Sequence, residues 1–191
     1  MPLRVLAGAV VGTGAILGVL LGVAVAQQAR QPAVRNPSTG PIPGMSARLV
    51  DWDGKVIPPG QQCKRFGGSG SVPRIAVEGY HSGAQVIVLA FNDETYGPMN
   101  DGGHGIVGFR INGRIATVGG FPGETLEGFS QGNFLVADNR SGGFGGPGYL
   151  PPCSGGQGNL YSVTVMAATW ADTSPPSYTV LNQARVELGR Y

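Results

Sequence analysis

The sequence predicts an all-β domain, with at most short helices, preceded by one N-terminal hydrophobic helix. Three observations lead there. Beyond Ser46 the apolar residues fall in short, β-branched runs punctuated by glycine, which supplies 34 of the 191 residues. No stretch of that part carries a sustained amphipathic helix period. Asn112-Gly113, between Ile106–Ile111 and Arg114–Val118, is a strong short hairpin signal, because the turn needs positive φ at both central positions.

In chain order, Ser46–Trp52 is expected to open the sheet. Ala84–Phe91, AQVIVLAF, is a continuous apolar run suited to a strand buried on both faces. Ile106–Ile111 and Arg114–Val118 are expected to pair with each other as the two arms of the Asn-Gly hairpin. Leu160–Ala168 reads as another core strand and Ala184–Leu188 as the last one, with a short turn of helix expected over Thr179–Ala184. Strands at this spacing with glycine turns indicate a sandwich or open barrel. Gly103, Gly105 and Gly108 match a G-x-G-x-x-G pattern. That motif needs a strand before it and a helix after it, so nucleotide binding is not expected.

Charged residues make up 13% of the chain and the net charge is +2. No Lys/Arg cluster interleaved with aromatics occurs, which excludes a nucleic-acid partner. The two cysteines, Cys63 and Cys153, are too few and too far apart for a zinc or iron–sulfur site, and no metal or cofactor is expected. Outside the cytoplasm they can bridge, closing a loop worth about 4–5 kcal/mol in the chain-entropy model. The alternative is two buried thiols that never meet.

From Val5 to Ala26 the chain carries no charge, and Arg4 precedes it. Residues 1–26 therefore read as a transmembrane anchor or a signal peptide. The length suits a bilayer span, whereas Ala24-Val25-Ala26 before Gln27 suits cleavage. Gly14, Gly18 and Gly22 recur every fourth residue, so they share one helix face on which a second helix can approach closely in lipid. Small residues are also common in export signals. Either way the N-terminus stays cytoplasmic and the rest crosses the membrane. Residues 27–45 carry four prolines and no periodicity, as a linker would, and residues 46–191 form the β domain.

Several segments, in order, resemble the phosphatidylethanolamine-binding protein family, including its bacterial members, as a divergent relative. Gly70–Asp93, GSVPRIAVEGYHSGAQVIVLAFND, is similar to the family stretch that leads through a turn into a buried strand ending near D-P-D-A-P. Gly103–Ile111, GHGIVGFRI, resembles the H-W-V-V-x-N strand. Gly142–Ala167, GGFGGPGYLPPCSGGQGNLYSVTVMA, is similar to the Y-x-G-P-x-P-P-x-G-x-x-H-R-Y-x-F-x-V-x-A run. No single motif is intact, so order and spacing carry the resemblance over about residues 62–188.

The resemblance implies a two-sheet β domain with a small anion-accepting pocket at one end of the main sheet. The H-W histidine falls on His104 and the H-R-Y tyrosine on Tyr161, while the second histidine is replaced by Asn159. The first aspartate of D-P-D-A-P falls on Asn92, and Asp93 takes the proline position. Asn92, Asp93, His104, Asn159 and Tyr161 are thus the implied ligand-binding residues. Asparagine donates without charge where a protonated histidine donates twice, so anion affinity is expected to be weaker. Gly105, where the family often has tryptophan, is expected to remove one wall. His104 can equally be a structural histidine.

No nucleophile elbow accompanies His81 or His104, and Ser130 and Ser154 lie in glycine-rich loops. Asp93, Glu94 and Asp101 could serve as an acidic pair or hold Ca²⁺, but adjacent carboxylates usually mark a solvated turn. A non-enzymatic role is expected. The first reading is a membrane-anchored accessory subunit whose glycine-faced helix packs within a larger membrane complex. The alternative is a secreted or periplasmic binder of a small anion or phospholipid headgroup.

Overall fold

The computed structural model describes residues 44–191 apart from Arg114, Gln131 and Pro175. The apolar segment with Gly14, Gly18 and Gly22, and nearly all of the linker, lie outside the described residues. Among those residues no helix is long and apolar enough to cross a membrane.

The described chain is mainly β, in two antiparallel sheets. The strands are β1 (Ser46–Leu49), β2 (Ile75–Glu78), β3 (Val86–Asp93), β4 (Ile106–Arg110), β5 (Ile115–Val118), β6 (Asn133–Ala137), β7 (Leu160–Ala171) and β8 (Ser177–Arg190). The small sheet has the order β1-β2-β5, and the large one β6-β4-β3-β7-β8. Two 3-10 turns, Lys64–Phe66 and Gly97–Met99, are the helical elements.

Strand β3 is central to the large sheet, and every one of its residues is buried. This accounts for its unbroken apolar run, since both faces must be covered. Ile87, Leu89 and Phe91 point into the main core with Val163, Val165 and Ala167 of β7 and with Ile75 and Val77 of the small sheet. Val86, Val88 and Ala90 point the other way, into a second cluster with Met166, Ala168, Tyr178 and Val180. Phe134 and Trp170 pack onto that second cluster, their ring centroids 4.5 Å apart. Phe134 can do so because Gly108 beneath it has no side chain: a Cβ there would lie 2.4 Å from the ring.

Two expectations are corrected. β4 and β5 do not form a hairpin: β4 lies between β3 and β6, and β5 pairs with β2 in the other sheet. With both edges of β4 already hydrogen-bonded, no edge remains for β5. The exposed Asn112-Gly113 pair, with Gly113 at φ +108°, serves as a crossing between sheets. Thr179–Ala184 is not a helical turn but the middle of β8. There Val180 and Asn182 are buried between more exposed neighbours, the alternation of a strand.

Cys63 and Cys153 are joined by a disulfide with a Cα–Cα distance of 5.3 Å, across a sequence separation of 90. The bridge is compatible with an extracytoplasmic location. It fastens the Lys64–Phe66 turn to the loop that enters β7.

Candidate functional site

Antiparallel order brings three chain segments to one end of the large sheet. β3 ends at Asp93, which is the register partner of Tyr161 near the start of β7. His104 lies just before β4, and its backbone N–H donates to the Phe91 carbonyl (3.0 Å). Asn159 immediately precedes β7. Asp93, His104, Asn159 and Tyr161 therefore line one cavity of about 540 Å³.

Asp93 organises the floor. It is 3% exposed, and its Oδ1 accepts the backbone N–H groups of Thr95 and Tyr96, each at 3.0 Å. Its Oδ2 accepts the Asn159 Nδ2 amide at 2.6 Å. Three donors on one buried carboxylate compensate the loss of water that burial imposes.

His104 is also 3% exposed. Its Nδ1 lies 2.8 Å from the Leu150 carbonyl, which can only accept, so Nδ1 carries a proton. Burial pushes the imidazole's proton affinity below the ordinary histidine value, against the opposing pull of backbone carbonyls and Asp93. The ring is thus neutral at pH 7 and its Nε2 has only a lone pair to offer. It stands edge-on to the Tyr161 ring, at 5.3 Å and 87°.

The Tyr161 oxygen accepts the Cys153 N–H at 3.1 Å. Burial pushes the phenol up to about 12, and the neighbouring Asp93 charge acts in the same direction. The hydroxyl keeps its proton at any physiological pH.

Asn92 does not join this group. Successive strand residues point to opposite faces, so Asn92 and Asp93 cannot both reach the cavity. Asn92 is buried on the other face, where its Nδ2 donates to Ser162 Oγ and Thr164 Oγ1 and its Oδ1 accepts the Gly102 N–H. Asp93, expected at the proline position of the family motif, is the acid that lines the cavity. Glu94 also turns away, to Arg185 (2.7 Å) and Ser162, and the Arg185 hydrogen bond holds its carboxyl below the usual range. Asp101 is exposed, and no three metal-ligating side chains converge among the described residues. His81 is exposed and accepts the Gly83 N–H.

Gly105 does not leave an open wall. At φ +106° it packs against the Gly148 carbonyl, 2.8 Å from where a Cβ would stand. Tyr149 then covers Phe91, ring to ring at 4.4 Å. The tryptophan of the family pattern has no room here, because the glycine-rich loop occupies its space.

Sequence reasoning missed the mouth. Phe66, Tyr96 and Phe144 ring it, 38%, 56% and 43% exposed, together with Arg140. Arg140 Nη2 donates to the Asn100 and Asp101 carbonyls, at 2.6 and 2.5 Å. The available signal was the cysteine pairing, which brings the turn containing Phe66 to the cavity. Phe144 lies in the glycine-rich loop Ser141–Tyr149. Its lining position makes that loop one wall of the cavity.

No family model matches the chain, and no curated protein matches it.

Proposed function

We propose that the chain is an extracytoplasmic, non-enzymatic binding domain that holds a small ligand, an anionic compound or a phospholipid headgroup, in the cavity at the end of the large sheet. One observation carries this: Asp93, His104, Asn159 and Tyr161, from three adjacent strand ends, converge on a single space lined by further polar groups. These are four of the five residues that the resemblance to the phosphatidylethanolamine-binding protein family implies for ligand contact. The mixture of a few fixed polar groups with apolar walls is the usual make-up of a small-molecule site. Among the hydroxyls of the lining, that of Ser154 is turned to the Tyr191 main-chain oxygen (2.6 Å).

Calorimetric titration of the full chain, disulfide intact, with inorganic phosphate, phosphoethanolamine and glycerophosphoethanolamine tests this proposal. Saturable binding by at least one, weakened in His104→Ala, is expected. Titrations that never saturate, or that ignore His104→Ala, overturn it.

A second reading rests on the fourfold spacing of Gly14, Gly18 and Gly22: the chain is an anchored accessory subunit of a membrane complex. Native extraction tests that reading. A mature N-terminus at Gln27 with soluble protein removes it, whereas a stoichiometric complex lost on Gly14→Leu, Gly18→Leu and Gly22→Leu supports it.

A further inference from the structure

The charge in the cavity is unevenly placed. Among the described lining residues, Asp93 is the charged side chain that is buried, at 3% exposure. The cation of the lining, Arg140, is exposed at the mouth and already hydrogen-bonded to two loop carbonyls. His104 adds no positive charge: with Nδ1–H turned to Leu150, its neutral ring can only accept at the other nitrogen. The buried charge of the floor is therefore negative, and a free anion would meet a like charge there.

The mouth has complementary chemistry. Phe66 and Phe144 stand with their centroids 6.5 Å apart, and Tyr96 is exposed nearby in the lining. The Arg65 guanidinium lies 4.0 Å from the Phe144 centroid, so this ring already receives a cation on its face. Apolar or aromatic material can pack against these rings, while the Arg65 and Arg140 guanidiniums make the mouth positive where the floor is negative. An acidic group on the ligand is therefore favoured at the mouth and not at the floor.

Resting on the binding role proposed above, we propose that the ligand's inner end is an ammonium group on an apolar or aromatic body. The ammonium seats against Asp93 and the body lies among Phe66, Phe144 and Tyr96. A headgroup carrying both an amine and an acid would enter amine first, leaving its acidic part towards Arg140.

Calorimetry on the full chain at pH 7.5 with benzylamine, benzyl alcohol and phenyl phosphate separates the possibilities, since the three share a ring and differ in charge. Benzylamine is expected to bind at least about tenfold more tightly than either of the others. Asp93→Asn, checked for a native-like melting transition, is expected to erase that preference. If that variant does not fold, the comparison of benzylamine with benzyl alcohol on the unaltered chain decides alone. Tighter binding of phenyl phosphate overturns the ammonium assignment and leaves the binding role standing. Equal binding of amine and alcohol also overturns the assignment. If none of these probes saturates, and phosphate and phosphoethanolamine do not either, both proposals fall.

Discussion

Asp93 and Tyr161 are register partners across β3 and β7, and Asn159, two residues before Tyr161, donates its amide to Asp93 Oδ2 at 2.6 Å. The floor of the cavity is therefore an extension of sheet pairing. Its side chains are held by the same ladder that holds the core, which gives them fixed positions without help from a ligand.

Asn159 is the most informative residue to remove. Asn159→Leu keeps the approximate volume but takes away the amide donor to a buried carboxylate. A loss of about 1.5–3 kcal/mol in stability, measured by urea denaturation, is expected. Unchanged stability would mean that the Asp93–Asn159 hydrogen bond contributes nothing net.

His104 sets a pH dependence. Its folded proton affinity lies below that of the unfolded chain, so the unfolded state binds more protons as pH falls. The stability that comes from keeping this ring neutral is complete above about pH 6.5, the ordinary histidine value, and declines as pH drops towards the lower folded value. Melting temperature should fall between pH 7 and pH 5. The slope should be shallower in His104→Gln, and an identical slope in the variant would remove His104 as its source.

The disulfide should matter to both stability and site shape. Cys63→Ser with Cys153→Ser releases a cross-link between positions 90 apart in sequence, costing about 2–5 kcal/mol. Because Phe66 follows Cys63 in the same turn and Cys153 lines the cavity, ligand affinity should fall as well. Denaturation and titration of the double variant measure the two effects separately.

Gly108 tests the packing of the outer face. Gly108→Ala places a methyl 2.4 Å from the Phe134 ring, which must move and disturb its contact with Trp170. A destabilisation of about 1–3 kcal/mol is expected. The Trp170 emission spectrum should change with it. A variant that melts like the unaltered chain would show that Phe134 can relocate freely.

The parts of this fold legible in the sequence are those where burial alone decides the residues. β3 had to be apolar on both faces up to Phe91, and its run announced it. β7 was marked by one apolar face, Tyr161, Val163, Val165 and Ala167, with Ser162 and Thr164 on the other. The Asn112-Gly113 signal misled because it is local, whereas the partner of β4 is chosen by sheet order. β6, Asn133–Ala137, was not anticipated: its residues are all half-buried, so no alternation marks it. In the site, His104, Tyr161, Asn159 and Asp93 could be named from motif order. The parity that separates Asn92 from Asp93 could not, because motif matching does not fix which of two adjacent strand residues faces inward. The aromatic mouth depends on contacts among Phe66, Phe144 and Tyr96, which are distant in sequence.

The central claim is that this cavity binds a small ligand. Its most direct test is a nuclear magnetic resonance titration of the full chain in detergent with phosphoethanolamine, following backbone amides and the His104 ring. Saturable shifts confined to Asp93–Tyr96, His104, Leu150–Ser154 and Asn159–Tyr161 are the predicted result. No shifts at millimolar ligand, or shifts centred on Phe134, Trp170 and Tyr178 across the sheet, would contradict it.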